Sequence, residues 1–211
     1  ELLFFTTRGR MFKLTCYEIP EAGRTAKGTA IVNLLQLDGG EKVTTVIPVD
    51  ENQGGNLVMA TKNGVIKKTA LSEFSNMRAS GLIAVTLRED DELIGVALTD
   101  GTRELLLGTR QGMSIRFHED NIRLMGRSAM GVKSMELDPG DEIVSMSVVH
   151  EGTQVLTVSE NGYGKRTDIS EFRLQSRGGK GIMAMRLTDK TGLMAAQLLV
   201  HEDEDIMLIT D

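Results

Sequence analysis

The sequence has little cysteine and few aromatic residues. Its 211 residues include one cysteine, Cys16, and no tryptophan, and aromatic residues make up 4% of the chain. A single cysteine excludes an internal disulfide framework and any multi-cysteine metal site, and it is typical of a reducing compartment. We therefore expect a cytoplasmic protein in which Cys16, with no evident base partner, is a small core residue.

Long hydrophobic runs are also missing. No run approaches the roughly 18 consecutive apolar residues of a membrane-spanning helix. The N-terminus ELLFFTTRGR has neither an initiator Met nor a signal-peptide pattern. We expect a soluble fragment of a longer protein, with no membrane partner. The 23 glycines predict closely spaced turns and short strands around a core of Leu, Ile, Val and Met.

An internal repeat organises the sequence. Four similar stretches are FFTTRGRMFKL (4–14), MATKNGVIKKT (59–69), LGTRQGMSIRF (107–117) and TVSENGYGKRT (157–167). Aligned on Gly9, Gly64, Gly112 and Gly162, they lie 55, 48 and 50 residues apart. Each carries Thr or Ser three residues before the glycine and a cation four residues after it: Lys13, Lys68, Arg116 and Arg166. A period of this length predicts stacked structural units.

Each repeat is predicted to form one propeller blade. Four short apolar strands alternate with glycine and acidic turns, and one hairpin turn is predicted at Asn63-Gly64, a pair that accommodates positive backbone dihedrals. The prediction is an all-β, propeller-like disk of four-stranded blades that forms one domain over residues 1–211. The blades fall at approximately 1–50, 51–100, 101–150 and 151–200, with the start of a further strand at 201–211.

The distribution of charge points to a polyanionic partner. The net charge of −6 argues at first against nucleic acid. However, four windows contain 20 of the 24 cations and 7 of the 30 acidic residues: 8–28, 62–81, 110–133 and 162–186. This cationic surplus recurs at one phase of the repeat, so stacking should place it on one side of the domain. Because aromatic platforms are few, duplex DNA held by its phosphates is favoured over single strands.

One Arg-to-Gly segment is especially suited to phosphate. It is Gln175-Ser176-Arg177-Gly178-Gly179-Lys180-Gly181. The adjacent glycines let backbone N–H groups approach a phosphate closely. An arginine can make a bidentate contact and a lysine acts as a point charge, while the glutamine can donate to a phosphate or tie down the loop.

This segment resembles the gyrase box in the C-terminal domain of the DNA gyrase A protein, part of a bacterial type II topoisomerase. The box reads Q, R or K, R, G, G, R or K, G, and six of seven positions agree, with Ser176 at the basic second position. The resemblance implies a six-bladed β-pinwheel that exchanges strands between neighbouring blades and wraps duplex DNA around its outer edge. It also implies that this chain begins at the second blade, ends after the fifth and lacks the principal box.

The resemblance implies a non-catalytic module of an ATP-hydrolysing enzyme that supports negative supercoiling. Its implied partners are duplex DNA, the other domains of the gyrase A protein, and the gyrase B protein of the heterotetramer. It implies no cofactor in this chain, since ATP and Mg²⁺ act elsewhere in the holoenzyme. The repeat and the box-like segment together predict the DNA contacts: Lys13, Arg24, Lys67, Lys68, Arg78, Arg116, Arg127, Lys165, Arg166, Gln175, Arg177, Gly178, Gly179, Lys180 and Gly181.

Two other functions stay open on the sequence. The matching domain of the topoisomerase IV A protein has a degenerate or absent box, so the nearly complete QSRGGKG disfavours it. A protein-interaction β-propeller of the kelch or chromosome-condensation-regulator type also accepts a period near 50 residues. A catalytic role is disfavoured because Tyr17 and Tyr163, the only tyrosines, do not match the family's catalytic motif.

Overall fold

The computed structural model describes residues 1–50, 52–76 and 80–207. Within them the chain forms β-strands and short 3-10 helices and contains no α-helix. The strands are β1 Leu2–Thr6, β2 Arg10–Leu14, β3 Val43–Pro48, β4 Asn56–Thr61, β5 Val65–Ala70, β6 Leu82–Ile83, β7 Leu93–Thr99, β8 Glu104–Thr109, β9 Met113–His118, β10 Val132–Lys133, β11 Ile143–Val149, β12 Gln154–Ser159, β13 Gly164–Asp168, β14 Ile182–Met183 and β15 Met194–Val200. The 3-10 helices are Cys16–Glu18, Ile31–Asn33, Leu71–Phe74, Glu119–Asn121 and Ile169–Glu171.

The strands form four antiparallel sheets. Their orders are β3-β1-β2-β6, β7-β4-β5-β10, β11-β8-β9-β14 and, within the described residues, β15-β12-β13. In each sheet the central hairpin comes from the glycine-centred stretch of one repeat, and the long strand that follows the acidic turn pairs on its other side. The predicted all-β class is therefore confirmed.

Three of the sheets borrow a short strand from the next repeat. Leu82 pairs with Met11, Val132 with Ile66 and Ile182 with Ser114. A sheet is consequently not one continuous stretch of sequence. The chain forms two compact units, and each is likewise made of two separate segments. One unit comprises Glu1–Thr102 and Asp120–Ser134, and the other comprises Arg103–Glu119 and Met135–Asp211.

The repeated glycine closes each hairpin through a positive φ. Gly112, for example, has φ of 87°, and its N–H donates to Thr109 O at 3.0 Å. A Cβ atom there would lie 2.6 Å from Met185 O, so the next segment of the same unit approaches the bare backbone. The Thr109 hydroxyl accepts from Met113 N at 3.2 Å, which explains the recurring spacing of hydroxyl and glycine within the repeat. Asn63 has no positive φ, so the predicted turn position is confirmed but only its glycine needs that conformation.

Each unit buries its own apolar core. In the first unit the core joins both sheets through Leu3 and Phe5 of β1 with Leu57 and Met59 of β4. In the second unit one cluster includes Leu106, Val155, Phe172 and Ala184. Leu, Ile, Val and Met fill these interiors, as the composition predicts, and all six phenylalanines are buried with them, which it did not predict.

Two local predictions differ from the structure. Cys16 is exposed rather than buried, because it starts a 3-10 helix with no buried residue, which is capped by the Glu18 carboxylate accepting from Thr15 N and Oγ1. Residues 201–207 form a turn followed by chain without strand pairing. The remainder of the strand predicted at 201–211 lies outside the described residues.

Candidate nucleic-acid interface

The loop of residues 177–181, here called the fourth loop, presents bare backbone to solvent. Gly178 and Gly179 have no heavy atom within 3.4 Å of a Cβ built on them, whereas a Cβ on Gly181 would lie 2.2 Å from Ser114 O. Gly181 therefore seats the loop on β9, and Glu136 N donates to Gly179 O at 2.9 Å. Two glycines are left where a phosphate oxygen can approach the main chain.

Side chains around the fourth loop complete its polar surface. Lys180 is exposed and its Nζ donates to Asp138 Oδ1 at 2.7 Å, which raises the pKa of the ammonium. Arg177 is half-buried. The Nε2 atom of Gln175 is buried and has no hydrogen-bond partner among the described residues, while Gln175 N donates to Arg116 O. Gln175 therefore lies beneath the loop, and the N–H groups of its side-chain amide have no hydrogen-bond acceptor among the described residues.

The corresponding loops of the other repeats also lie at the surface. In the first loop, residues 24–28, every residue is exposed. In the third loop, residues 127–131, Ser128 O accepts from Thr86 Oγ1 at 2.8 Å, and Arg127 donates through NH1 to Glu73 O at 3.4 Å. Arg78, predicted in the second loop, lies outside the described residues.

The four in-phase cations share a strand position but not an environment. Lys13, Lys68, Arg116 and Arg166 pair across their hairpins with Leu3, Val58, Leu106 and Leu156. Arg166 is exposed together with its neighbour Lys165. Lys13 bonds Glu1 at 2.9 Å, and Lys68 is only 5% exposed. Arg166 is thus the exposed member of these four, and their common role as phosphate contacts stays a prediction.

Arg116 binds protein groups of its own unit instead of facing solvent. Its guanidinium contacts Glu104 Oε2 at 2.7 Å and donates to the carbonyls of Ile169 and Phe172 at 2.9 and 3.2 Å. These carbonyls belong to the following repeat, and a parallel bridge joins Arg116 to Leu174. The arginine therefore links successive repeats within the second unit.

Replacing Arg116 by Met is expected to destabilise the chain by about 2 kcal/mol, since it leaves a carboxylate and two carbonyls without their donor. Urea unfolding measures this loss. The dependence of DNA affinity on salt should keep its slope, because no phosphate contact is removed. A flatter slope with unchanged stability would instead make Arg116 a direct DNA contact.

Lys67 cannot make the predicted phosphate contact. Its side chain is 0% exposed, and its Nζ donates to Ala84 O at 2.7 Å and to Arg127 O. Burial, with a smaller effect of the Arg127 charge, lowers its pKa to about 8. The sequence assigned Lys67 to the surface because it adjoins Lys68, but backbone segments of later parts of the chain, at Ala84 and Arg127, cover it.

Acidic residues also lie closer to the hairpin turns than their sequence positions predict. Asp91 Oδ1 accepts from Asn63 N, and Asp141 Oδ1 accepts from Gln111 N, each at 2.9 Å. Arg110 contacts both Glu142 and Glu160. The acidic turns thus cap the hairpins, and the charge separation counted along the sequence is only partly kept in space.

Two of the exposed arginines that the sequence reasoning missed share one repeat position. Arg123 and Arg173 are exposed, and each directly follows a buried residue, Ile122 or Phe172. Both stand eleven residues after the repeated glycine, so their shared phase was the available signal. In the sequence they lie four residues before the third and fourth loops.

The described residues contain no helix long and apolar enough to cross a membrane and no group of three or more potential metal ligands. What the site offers is therefore exposed cations and open glycine backbone carried on repeated antiparallel sheets. This combination defines a β-propeller-like repeat domain of the pinwheel type, with a candidate surface for an anionic partner.

Comparison with known families makes the assignment specific. The family described as DNA gyrase C-terminal domain, beta-propeller, matches residues 1–50, 55–100, 103–150 and 153–196. These matches cover most of the chain. The chain belongs to the DNA gyrase C-terminal domain family.

Individual relatives agree with this family. The DNA gyrase A protein of Halalkalibacterium halodurans is 54% identical over 135 residues, which are 64% of this chain and 16% of that protein. The same protein of Salmonella typhimurium is 49% identical over 137 residues, again 64% of this chain and 16% of the relative. The chain therefore matches about a sixth of the length of these relatives.

Solved structures show the same fold. The crystal structure of the C-terminal domain of DNA topoisomerase IV is 30% identical, with a TM-score of 0.88 over 95% of this chain and 64% of that one. The structure of the DNA gyrase A C-terminal domain is 26% identical, with a TM-score of 0.82 over 96% of this chain and 66% of that one. The predicted β-pinwheel fold is confirmed.

Proposed function

We propose that this chain binds and wraps duplex DNA without sequence specificity and thereby supports ATP-dependent negative supercoiling by DNA gyrase. The observation that carries the proposal is the fourth loop, which combines open glycine backbone with Arg177 and exposed Lys180 in a member of the gyrase C-terminal family. Exposed Lys165 and Arg166 in the same repeat add to its positive charge.

Such a surface recognises the DNA backbone rather than the bases. Lysine and arginine neutralise phosphates, backbone N–H groups at the glycines donate to phosphate oxygens, and none of these contacts reads a base edge. Smooth bending of a 20–30 bp site by 40–90° costs on the order of 1–6 kcal/mol. Contacts contributed by several repeats are therefore needed to offset the bending energy, which a repeated domain supplies.

The chain's role in the holoenzyme would be to bind DNA, not to carry out chemistry. We infer that it acts in the cytoplasm with the other domains of the gyrase A protein and with the gyrase B protein. ATP hydrolysis, Mg²⁺ binding and strand cleavage would take place in those other parts. The contribution of this chain would be to set the path of the DNA segment that is then passed.

Topoisomerase IV is the second candidate, favoured by the high structural similarity to its C-terminal domain. The family match and identities near 50% to gyrase A proteins over 64% of this chain favour gyrase. The two solved structures do not separate the candidates, since the identity is 30% for topoisomerase IV and 26% for gyrase A. The repeated family match leaves no support for a kelch-type interaction propeller.

Wrapping is tested by sealing a nicked plasmid with ligase in the presence of the chain and resolving the topoisomers after deproteinisation. We expect retarded mobility of linear duplex at low salt and a shifted linking number in the sealed plasmid. Retardation without a shift in linking number would mean that the chain binds DNA without wrapping it. The absence of both effects would reject the proposal. Supercoiling by the complete enzyme, with relaxation and decatenation measured in parallel, separates gyrase from topoisomerase IV.

A further inference from the structure

Lys67 occupies a position that is apolar in two other repeats. It is the third residue after the repeated glycine, where the first and third repeats have Phe12 and Ile115. All three side chains are buried, with exposures of 0 to 2%. A charged group at such a position costs folding free energy unless its hydrogen bonds are satisfied. Packing alone therefore does not explain why a lysine stands at this buried position.

The ammonium of Lys67 joins two backbone segments that meet over β5. Ala84 O, which accepts at 2.7 Å, follows the short strand β6, and Arg127 O is the first carbonyl of the third loop. Thr86 adds a second attachment through its hydroxyl, which donates to Ser128 O at 2.8 Å. The far end of the loop is seated by Gly131, where a Cβ would lie 2.6 Å from Ile66 O.

The fourth loop has no such lysine beneath it. There the equivalent buried residue is Ile115, and the loop carries the glycine pair Gly178-Gly179. The third loop has Ser128-Ala129 at these places. A buried ammonium therefore lies beneath the third loop. The second loop also lacks a glycine pair but has Phe12 at this position, so the lysine is particular to the third loop.

We propose that Lys67 is a positioning residue, which holds the third loop from below in the conformation that binds DNA. This inference rests on the proposed DNA-binding function. Lys67 touches no phosphate itself. It acts by fixing the carbonyl of Arg127 and with it the direction of the loop, so that binding does not first have to order these residues.

The test compares Lys67→Met with Lys165→Met, since Lys165 has the same repeat position but is exposed. For Lys67→Met we expect roughly threefold to tenfold weaker binding to a duplex oligonucleotide, the effect of losing one charge-assisted hydrogen-bonded link. The slope of log affinity against log salt should be unchanged. For Lys165→Met the slope should fall in magnitude by about 0.9, because one phosphate contact is lost.

Amide hydrogen exchange of the free protein supplies a readout that does not depend on DNA. Lys67→Met should speed exchange in residues 127–131 and leave residues 177–181 as in the wild type. If the wild type binds DNA and Lys67→Met binds equally well with unchanged exchange, the positioning role is wrong. If the wild type does not bind DNA at all, the proposed function fails, whatever the exchange pattern.

A pH profile distinguishes positioning from general stability. Besides burial, which has the larger effect, the Arg127 guanidinium is the charge among the described residues that lowers the pKa of the Lys67 ammonium. The cross-strand neighbour Met59 and the acceptor Ala84 are uncharged. Since the pKa of Lys67 is lowered to about 8, raising the pH from 7 to 9 should weaken wild-type binding more than that of Lys67→Met. Parallel pH profiles would overturn the proposal.

Discussion

Reversing the charge of the fourth loop with Arg177→Glu and Lys180→Glu together is expected to weaken duplex binding on the order of a hundredfold at about 0.1 M salt. Two phosphate contacts are lost and two repulsive charges take their place. The slope of log affinity against log salt should also fall in magnitude by about 2. Fluorescence anisotropy with a labelled duplex over a series of salt concentrations measures both quantities.

Asp138→Asn provides the matched control, with the opposite sign. Asp138 accepts from Lys180 at 2.7 Å, and both side chains are more than half exposed. Removing the carboxylate frees the ammonium for phosphate and removes a nearby negative charge, so affinity should rise a few-fold. A loss of affinity in Asp138→Asn, or wild-type binding by the double reversal, would remove the fourth loop from the interface.

The features that the sequence predicted well are local. The hydroxyl, the glycine and the three-residue distance between them define a hairpin turn whose bonds form within five residues, as at Thr109 to Met113. The same bond forms in the first three repeats, where the hydroxyls of Thr6, Thr61 and Thr109 accept from a backbone N–H. In the fourth repeat the Ser159 hydroxyl is buried without a hydrogen-bond partner among the described residues. Alternation in the flanking strands then predicts the antiparallel sheets, because a side chain's face follows from its parity.

The environments of the cations could not be predicted in this way. Whether Arg116 is exposed depends on the carbonyls of Ile169 and Phe172, which lie more than 50 residues further along the chain. Strand exchange brings the next repeat over this position, and the sequence of one repeat carries no signal for that covering. The same non-local packing buries Lys67, although two adjacent lysines in the sequence predict a pair of exposed residues.

The acidic turns were also underestimated. Counting charges by window separates cations from carboxylates along the sequence. In the folded chain, however, the acidic turn that precedes the outer strand of a sheet lies beside the hairpin turn of the same sheet. Asp91 and Asp141 then become caps of turn N–H groups, and Glu142 becomes a partner of Arg110. Net charge in a window therefore predicts a surface only when the contacts of its acids are known.

The first repeat provides the largest expected effect on stability. The Glu41 side chain is 0% exposed, and its carboxylate accepts from Thr6 Oγ1 at 2.5 Å, Arg10 Nε at 2.9 Å and Asp38 N at 2.9 Å. Glu41→Ala should lower the free energy of unfolding by about 3 kcal/mol, because a guanidinium, a hydroxyl and an N–H lose their acceptor together. Urea unfolding followed by circular dichroism measures this change.

Asp38→Ala is the control for this prediction. Asp38 also contacts Arg10, at 3.5 Å, but its side chain is mostly exposed. An exposed ion pair contributes at most about 1 kcal/mol, so this variant should remain close to the wild type. Equal losses in both variants would mean that general charge balance, rather than the buried network, stabilises the first sheet.

The same network predicts the response to acid. Burial raises the pKa of Glu41, but the hydrogen bonds from Arg10, Thr6 and the Asp38 N–H outweigh it and lower the pKa to about 2, from an ordinary value of 4.5. Glu41 therefore makes its full contribution to the free energy of unfolding above pH 4.5, and this contribution is lost as the pH falls towards 2. The total loss is about 3 kcal/mol. In Glu41→Gln this part of the acid profile should be missing. If the variant and the wild type lose stability in parallel over this range, the carboxylate is not held in its charged form by these donors.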